Sequence, residues 1–204
     1  MAKKTGIFSY SSGSGKTTTC AYLATALSTV GKKVVCVDMN GDLGNFMRYE
    51  AGNNALPGWT YRRWNGAEDA LEDEADYVLV DLPTYLNQEE EGIFTRLHSV
   101  LIPVEAEYYG AEHLSRTLQK ITEFDQLLIS GIFLTKANSN RCVPHRMEME
   151  LKEYFSFFML NTKIMRNYYL SRSRFSLTDL NEQGWHSGFI DYLKLANELL
   201  EHEC

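Results

Sequence analysis

The chain has 204 residues, 44% of them apolar and 23% charged, and a formal net charge of -7. That length suffices for one good α/β core and is short for two, so residues 1–204 read as a single domain. No uncharged apolar run of about 18 residues occurs, and Met1 to Thr5 enter the first strand without an apolar signal core; a soluble, cytoplasmic protein with no membrane partner is expected.

A first strand is predicted at 4–9. It leads into Gly13-Ser14-Gly15-Lys16-Thr17-Thr18 and a helix from Thr17 to Val30, where Gly31 stops it. Two glycines let backbone N–H groups turn inward around a phosphate, and the first helical turn adds unpaired donors and a positive dipole end. Lys16 brings a point charge toward the β and γ phosphates, and Thr17 a hydroxyl suited to a Mg²⁺ shell. Only the tail of the strict phosphate-loop pattern is present, because Tyr10 stands where its first glycine belongs. The plainer reading of these residues, a small-residue turn, is disfavoured by the strand before and the helix after. Ser11 and Ser12 complete the expected set of nucleotide contacts in this loop.

A second strand, Lys33 to Asp38, is a continuous apolar run of the kind buried on both faces. The stretch Asn53 to Asn65, rich in Gly, Pro and Trp, leaves one extra strand or a loop open. Its Trp59, Tyr61 and Trp64, with Trp185, are either an exposed partner surface or core. A helix is predicted at 67–75, a strand at Tyr77–Asp81, a helix at 87–97 and a strand at Ser99–Pro103. There follow a helix at 111–124, a strand at Leu127–Leu134, a helix at Pro144–Tyr154, a short apolar run Phe157–Leu160 and a closing helix at 187–202. Such alternation demands crossovers. The expected fold is therefore α/β, a mostly parallel twisted sheet of about six to eight strands with helices on both faces, and with the phosphate loop at Gly13–Thr18 it resembles a P-loop NTPase domain.

Asp38 and Asp81 each end an apolar strand, and carboxyl ends of parallel strands face the ligand crevice. Asp81 suits the acid that holds Mg²⁺ through water, and Asp38 the group that orients an attacking water; Thr17, Asp38 and Asp81 form the expected metal set. Catalysis by Lys16, Asp38 and Asp81 would then consist of positioning and charge neutralisation. The alternative for either acid is a strand-end carboxylate bonding a loop N–H. Cys20, Cys36, Cys142 and Cys204 form no C-x-x-C pair, so free thiols are expected.

Charge is unevenly spread. Residues 67–95 hold ten acids and no Lys or Arg, whereas residues 136–174 hold eight Lys or Arg against three Glu. Arg141, Arg146, Lys163, Arg166, Arg172 and Arg174, with Tyr168 and Tyr169 interleaved, are the candidates for contact with a polyanion such as DNA. A solvated basic surface balancing an acidic one is the alternative.

Taken together, Gly13 to Thr19, Val35-Cys36-Val37-Asp38-Met39-Asn40 with Gly44-Asn45, and Asp76 to Pro83 resemble the ParA/MinD family of partition and positioning ATPases. Val100 to Val104 resembles its fifth strand. Leu134-Thr135-Lys136 resembles its adenine-side strand end, which implies nucleotide contacts from Thr135 and Lys136. The resemblance implies ATP and Mg²⁺ as cofactors, an ATP-dependent homodimer, slow partner-stimulated hydrolysis and nonspecific duplex DNA binding. It also implies nucleoid association, an adaptor protein similar to ParB or McdB, and a plasmid, chromosome or large protein body as cargo. Two departures stand out. The family's first loop lysine, which reaches the partner's nucleotide, is matched here by Ser11 with Ser12 following, and the second acid of its D-x-D pair by Asn40. Loss of that lysine resembles the McdA branch, which positions carboxysomes, and a basic residue of the 136–166 stretch, such as Lys152 or Arg146, is expected to replace it. Competing expectations are a small-molecule synthetase or kinase similar to dethiobiotin synthetase, for which no acceptor constellation is evident, and a MinD-like membrane ATPase. Against the latter, Gly188 to Cys204 sets Asp191, Glu198, Glu201 and Glu203 against Lys194 alone.

Overall fold

Short runs rich in Val, Ile and Leu pair side by side into one sheet. In the computed structural model, which describes residues 2–39, 41–48, 58–66, 71, 74–107, 109–138, 142–171 and 187–202, these are β1 (Lys3–Ile7), β2 (Val34–Asp38), β3 (Thr60–Arg63), β4 (Tyr77–Asp81), β5 (Ser99–Glu105) and β6 (Leu128–Thr135). Their order is β3-β2-β4-β1-β5-β6, and every pair is parallel. Every residue of β2 and β4 is buried, as the unbroken apolar runs require of central strands covered on both faces. In the ambiguous Asn53–Asn65 stretch, β3 is an edge strand with exposed ends, and residues 53–57 lie outside the described residues.

The helices are α1 (Lys16–Thr29), α2 (Asp42–Arg48), α3 (Gln88–Glu91), α4 (Gly110–Ile121), α5 (Cys142–Phe155), α6 (Tyr168–Ser171) and α7 (Ser187–Glu201), the first four in crossovers between strands and the last three after β6. Alternate strand residues feed two cores, one per face. Ile7, Cys36, Leu79, Leu101 and Phe133 pack with α1 and α7, while Val37, Val80, Ile102 and Leu134 pack with Phe94, Leu114, Ile121 and Leu151. On the first face Tyr22 of α1 stacks on Tyr192 of α7, with centroids 5.4 Å apart. Phe8 and Phe133, fully buried, mark the two centres; truncating either to Ala would cost about 3–5 kcal/mol.

Several details differ from expectation. The helix expected at 87–97 breaks into α3, closed by an Asn87–Glu90 capping box, and a 3₁₀ turn at Gly92–Arg96; Gly92 at the junction lowers helix propensity, and the tighter turn buries Ile93 and Phe94. The helix expected at 67–75 lies largely outside the described residues. Phe157–Leu160 forms no full strand. It makes a single parallel bridge, Met159 to Ile132, with Ile132 N–H donating to Phe158 O and Leu160 N–H to Ile132 O, each at 2.8 Å, and so covers the β6 edge. The helices α2 and α6 were not expected, being short and without strong periodicity. Among the described residues no helix is long and apolar enough to cross a membrane.

Candidate nucleotide-binding site

Register brings the functional strand ends together. Ile7 and Asp38 both pair with Asp81, so the ends of β1, β2 and β4 form one level edge beneath the loop that joins β1 to α1. In that loop Gly13 (φ 80°) and Gly15 (φ 93°) occupy the left-handed region, where an L side chain is strained. Gly15 is the N-cap of α1 and supplies no side-chain acceptor, which leaves N–H donors of the first turn directed outward. Tyr10 is tolerated in place of a glycine because its ring turns away onto Phe8, 5.2 Å between centroids, and its N–H donates to Thr117 Oγ1 at 3.0 Å.

Lys16 is 7% exposed. Its Nζ donates to Ser9 O (3.2 Å), Ser11 O (3.1 Å) and Thr84 Oγ1 (2.9 Å), all neutral oxygens. Burial pushes its ammonium down to about 8, against the attraction of Asp81 and Asp42. Ser11 is spent inside the loop: its N–H donates to Ser9 Oγ (3.2 Å) and its hydroxyl to Ser12 O (3.4 Å). Ser14 Oγ is buried with no partner, while its carbonyl accepts from Thr135 Oγ1 at 2.8 Å.

At the foot of the loop Thr17 Oγ1 donates to Asp81 Oδ2 at 2.7 Å. Asp81 is fully buried and its carboxyl is pushed up to about 7, chiefly by burial; the Thr17 hydrogen bond opposes the rise and Asp38 adds to it. Its Oδ1 has no hydrogen-bond partner. An orphaned carboxylate oxygen beside a threonine hydroxyl is a hard oxygen pair that fits Mg²⁺. Among the described residues no cluster of three or more His, Cys, Asp or Glu forms an all-protein metal cage.

Asp38 has a different occupation. It is fully buried, with Oδ1 accepting from Gly41 N–H (2.7 Å) and Oδ2 from Gly44 N–H (2.8 Å) and Tyr61 OH (3.1 Å). Of the two sequence readings for a strand-end acid, loop bonding is the one this structure displays; Asp38 anchors the turn from β2 into α2. Trp59 likewise belongs to the core, buried with Nε1 donating to Thr25 Oγ1 at 3.0 Å, and Trp64 packs half-buried against the other core, so neither forms an exposed surface. Trp185 lies outside the described residues.

Above the loop opens a cavity of about 490 Å³. Ser12 to Thr18, Asp42 and Thr84 line it together with Thr135, Lys136, Ile164 to Asn167, Leu170 and Tyr192. The lining thus combines N–H and hydroxyl groups with apolar side chains such as Ile164, Met165 and Leu170, as a polyphosphate joined to a flat ring would require. Thr84, Asp42, Ile164, Met165, Asn167 and Leu170 escaped sequence reasoning, and Arg166 was expected at a polyanion surface and not in the cavity. Thr84 alone had a signal, its place three residues after Asp81.

Basic candidates fall in separate places. Lys136 and Arg166 line the cavity, paired to Glu105 (2.7 Å) and Glu107 (2.9 Å). Lys163 and Lys152 both pair with Glu148, whose carboxyl they hold below its usual range although burial alone would raise it. Arg141, Arg172 and Arg174 lie outside the described residues, as does the side chain of Arg146 in α5.

Residues 6–174 match the sequence profile of the CobQ/CobB/MinD/ParA nucleotide binding domain. The chain belongs to that family. It is 28% identical to the chromosome partitioning protein ParA of Myxococcus xanthus, over 94% of this chain and 85% of that one. Its fold is similar to cobyrinic acid a,c-diamide synthase of Mycobacterium smegmatis, solved with an ATP analog and magnesium (TM-score 0.79, 18% identity, 100% and 96% of the two chains). It is similar also to apo McdA of Cyanothece (TM-score 0.74, 19% identity, 98% and 100%). Membership in this nucleotide-binding family matches the cradle and cavity just described.

Proposed function

We propose that the protein is an ATP- and Mg²⁺-dependent switch ATPase of the ParA type, which dimerises with nucleotide and positions or segregates a cargo over nonspecific duplex DNA. The observation that carries this reading is the hydrogen bond from Thr17 to the buried Asp81, whose other oxygen is orphaned, at the foot of the Gly13–Gly15 loop. Backbone N–H groups from Gly13 to Thr18 hold the phosphates, and Thr17 and Asp81 hold the cation, which supplies charge neutralisation of the phosphate oxygens. Lys16 has only neutral acceptors, so an anionic phosphate oxygen is a better partner than any of the three it has now. Thr135 and Lys136 border the nucleotide, and Asp38 holds the β2–α2 turn in the shape from which a water can be oriented.

Likeness to ParA supports the partition role, and the missing lysine at Ser11 supports a McdA-like cargo such as a carboxysome, with an adaptor similar to ParB or McdB that stimulates slow hydrolysis. The DNA surface would comprise Arg141, Arg146, Arg172 and Arg174 with Lys163 and Arg166, the last two already sharing their charge with Glu148 and Glu107. The protein would then be cytoplasmic and nucleoid-associated. A small-molecule synthetase is the second reading, favoured by the fold shared with cobyrinic acid a,c-diamide synthase.

Duplex DNA binding measured with ATP, with ADP and without nucleotide separates them. The switch ATPase binds only with ATP, with a slope of log affinity on log salt near about -5 if the dimer neutralises about six phosphates. Equal binding in all three states, or none, refutes the partition reading. Lys16→Ala should abolish ATP binding, and unchanged affinity would refute the cradle itself.

A further inference from the structure

Ser11 is buried and bonded within its own loop, so it brings no charge to a nucleotide phosphate. A cation does stand over that loop. Lys136 Nζ lies 3.7 Å from the point a Cβ on Gly13 would occupy, and the side chain lines the cavity. We infer that Lys136 supplies, from within the same chain, the phosphate-facing cation that Ser11 lacks, and that it exchanges Glu105 for the polyphosphate when nucleotide binds.

Backbone geometry builds this placement. Lys136 is the one non-glycine residue with positive φ (52°) among the described residues. Long side chains enter that region rarely, and such departures gather where function requires them. The turn ends β6 at Thr135, whose hydroxyl donates to Ser14 O (2.8 Å) and so ties the strand end to the phosphate loop. Ala137 then resumes a parallel bridge to Met165. Between these two anchors the Lys136 side chain is directed across the loop.

Its current partner is weak competition. Lys136 Nζ meets Glu105 Oε1 at 2.7 Å, with the lysine side chain 38% exposed and the glutamate 19%. A single part-buried pair of this kind sets one negative charge against the lysine, whereas a polyphosphate in the cavity offers several. Of the other basic side chains that line the cavity among the described residues, Lys16 is held within the loop by Ser9 O and Ser11 O, and Arg166 is paired to Glu107. The pair also reaches beyond the site. Glu105 closes β5 beside Thr135, and a Cβ on Gly110 would meet Glu105 O at 2.2 Å, so the first turn of α4 rests directly on the Glu105 backbone. Release of Lys136 therefore changes the charge at the β5–α4 turn each time nucleotide enters.

This inference rests on the nucleotide reading above, and titration of ATP, ADP and AMP at protein concentrations where the chain is monomeric separates the two. Lys136→Asn keeps a residue that tolerates positive φ and removes the charge. It should weaken ATP and ADP about tenfold or more, leave AMP within about twofold, and be largely restored in Lys136→Arg. Glu105→Gln frees the cation and should tighten ATP about threefold. Unchanged ATP affinity in Lys136→Asn, beside its loss in Lys16→Ala, overturns this inference and leaves the cradle standing. A loss seen only where dimer forms also overturns it, because the cation then acts across the interface. Unchanged affinity in Lys16→Ala overturns both. Should Lys136→Asn fail to fold, Glu105→Gln decides alone: tighter ATP supports the exchange, and unchanged affinity refutes it.

Discussion

Replacing Asp81 with asparagine tests how the phosphate cradle is charged. In the fold the Asp81 carboxyl is pushed from 3.8 up to about 7, mainly because it is buried away from water. A carboxyl raised in the folded state binds a proton there that the unfolded chain has already lost, so its effect on stability worsens as pH climbs from about 4 to about 7. At about 1.4 kcal/mol per tenfold, the raised carboxyl costs about 1.7 kcal/mol at pH 5, where folding takes up a proton, and about 4 kcal/mol at pH 8, where it is mostly ionised in the fold. The side-chain amide of Asp81→Asn keeps an oxygen for the Thr17 hydroxyl and cannot ionise, so the variant should gain about 2.5 kcal/mol on wild type between those two pH values. That is an upper figure, because Lys16 loses the attraction of Asp81. Calorimetric unfolding of nucleotide-free protein at pH 5 and pH 8 reads it as a difference of about 5–10 °C in Tm. With ATP and Mg²⁺ the order should reverse, since the cation needs the carboxylate. Parallel stability curves for the two proteins in the absence of nucleotide would refute the argument.

Gly44→Ala should destabilise the protein by about 1–3 kcal/mol, since a Cβ there would lie 2.4 Å from Tyr61 OH and 3.2 Å from Asp38 Oδ2. Most of that loss should disappear in a Tyr61→Phe background, and additive costs in denaturant titrations would show that the clash lies elsewhere. Asp38→Ala strips the acceptor from Gly41 N–H, Gly44 N–H and Tyr61 OH and should cost about 3 kcal/mol while ATP still binds and turnover falls. Wild-type Tm and turnover in that variant would exclude Asp38 from both loop anchoring and hydrolysis.

Local chemistry was legible before any folding was considered. The loop at Gly13–Thr18 can be read because its requirements, positive φ at two glycines and a helix start with free donors, sit within a few consecutive residues. Central strands were readable for a similar reason: unbroken apolar runs ending in Asp38 and Asp81 fit burial on two faces and little else. Short elements such as α2, α6 and the exact extent of β3 were not, because a few residues carry no decisive period and packing sets their conformation.

The sequence by itself determined that a phosphate cradle follows a buried strand and that two acids lie at neighbouring strand ends, since both depend on residue type and near spacing. Only the tertiary structure decided what those acids touch: Thr17 for Asp81, and the β2–α2 turn and Tyr61 for Asp38. It also decided that Thr84 holds Lys16 and that Lys136, more than a hundred residues along the chain from Gly13, lies over the loop. Those meetings depend on strand order and register, which bring distant segments to one edge of the sheet and leave no trace in local spacing.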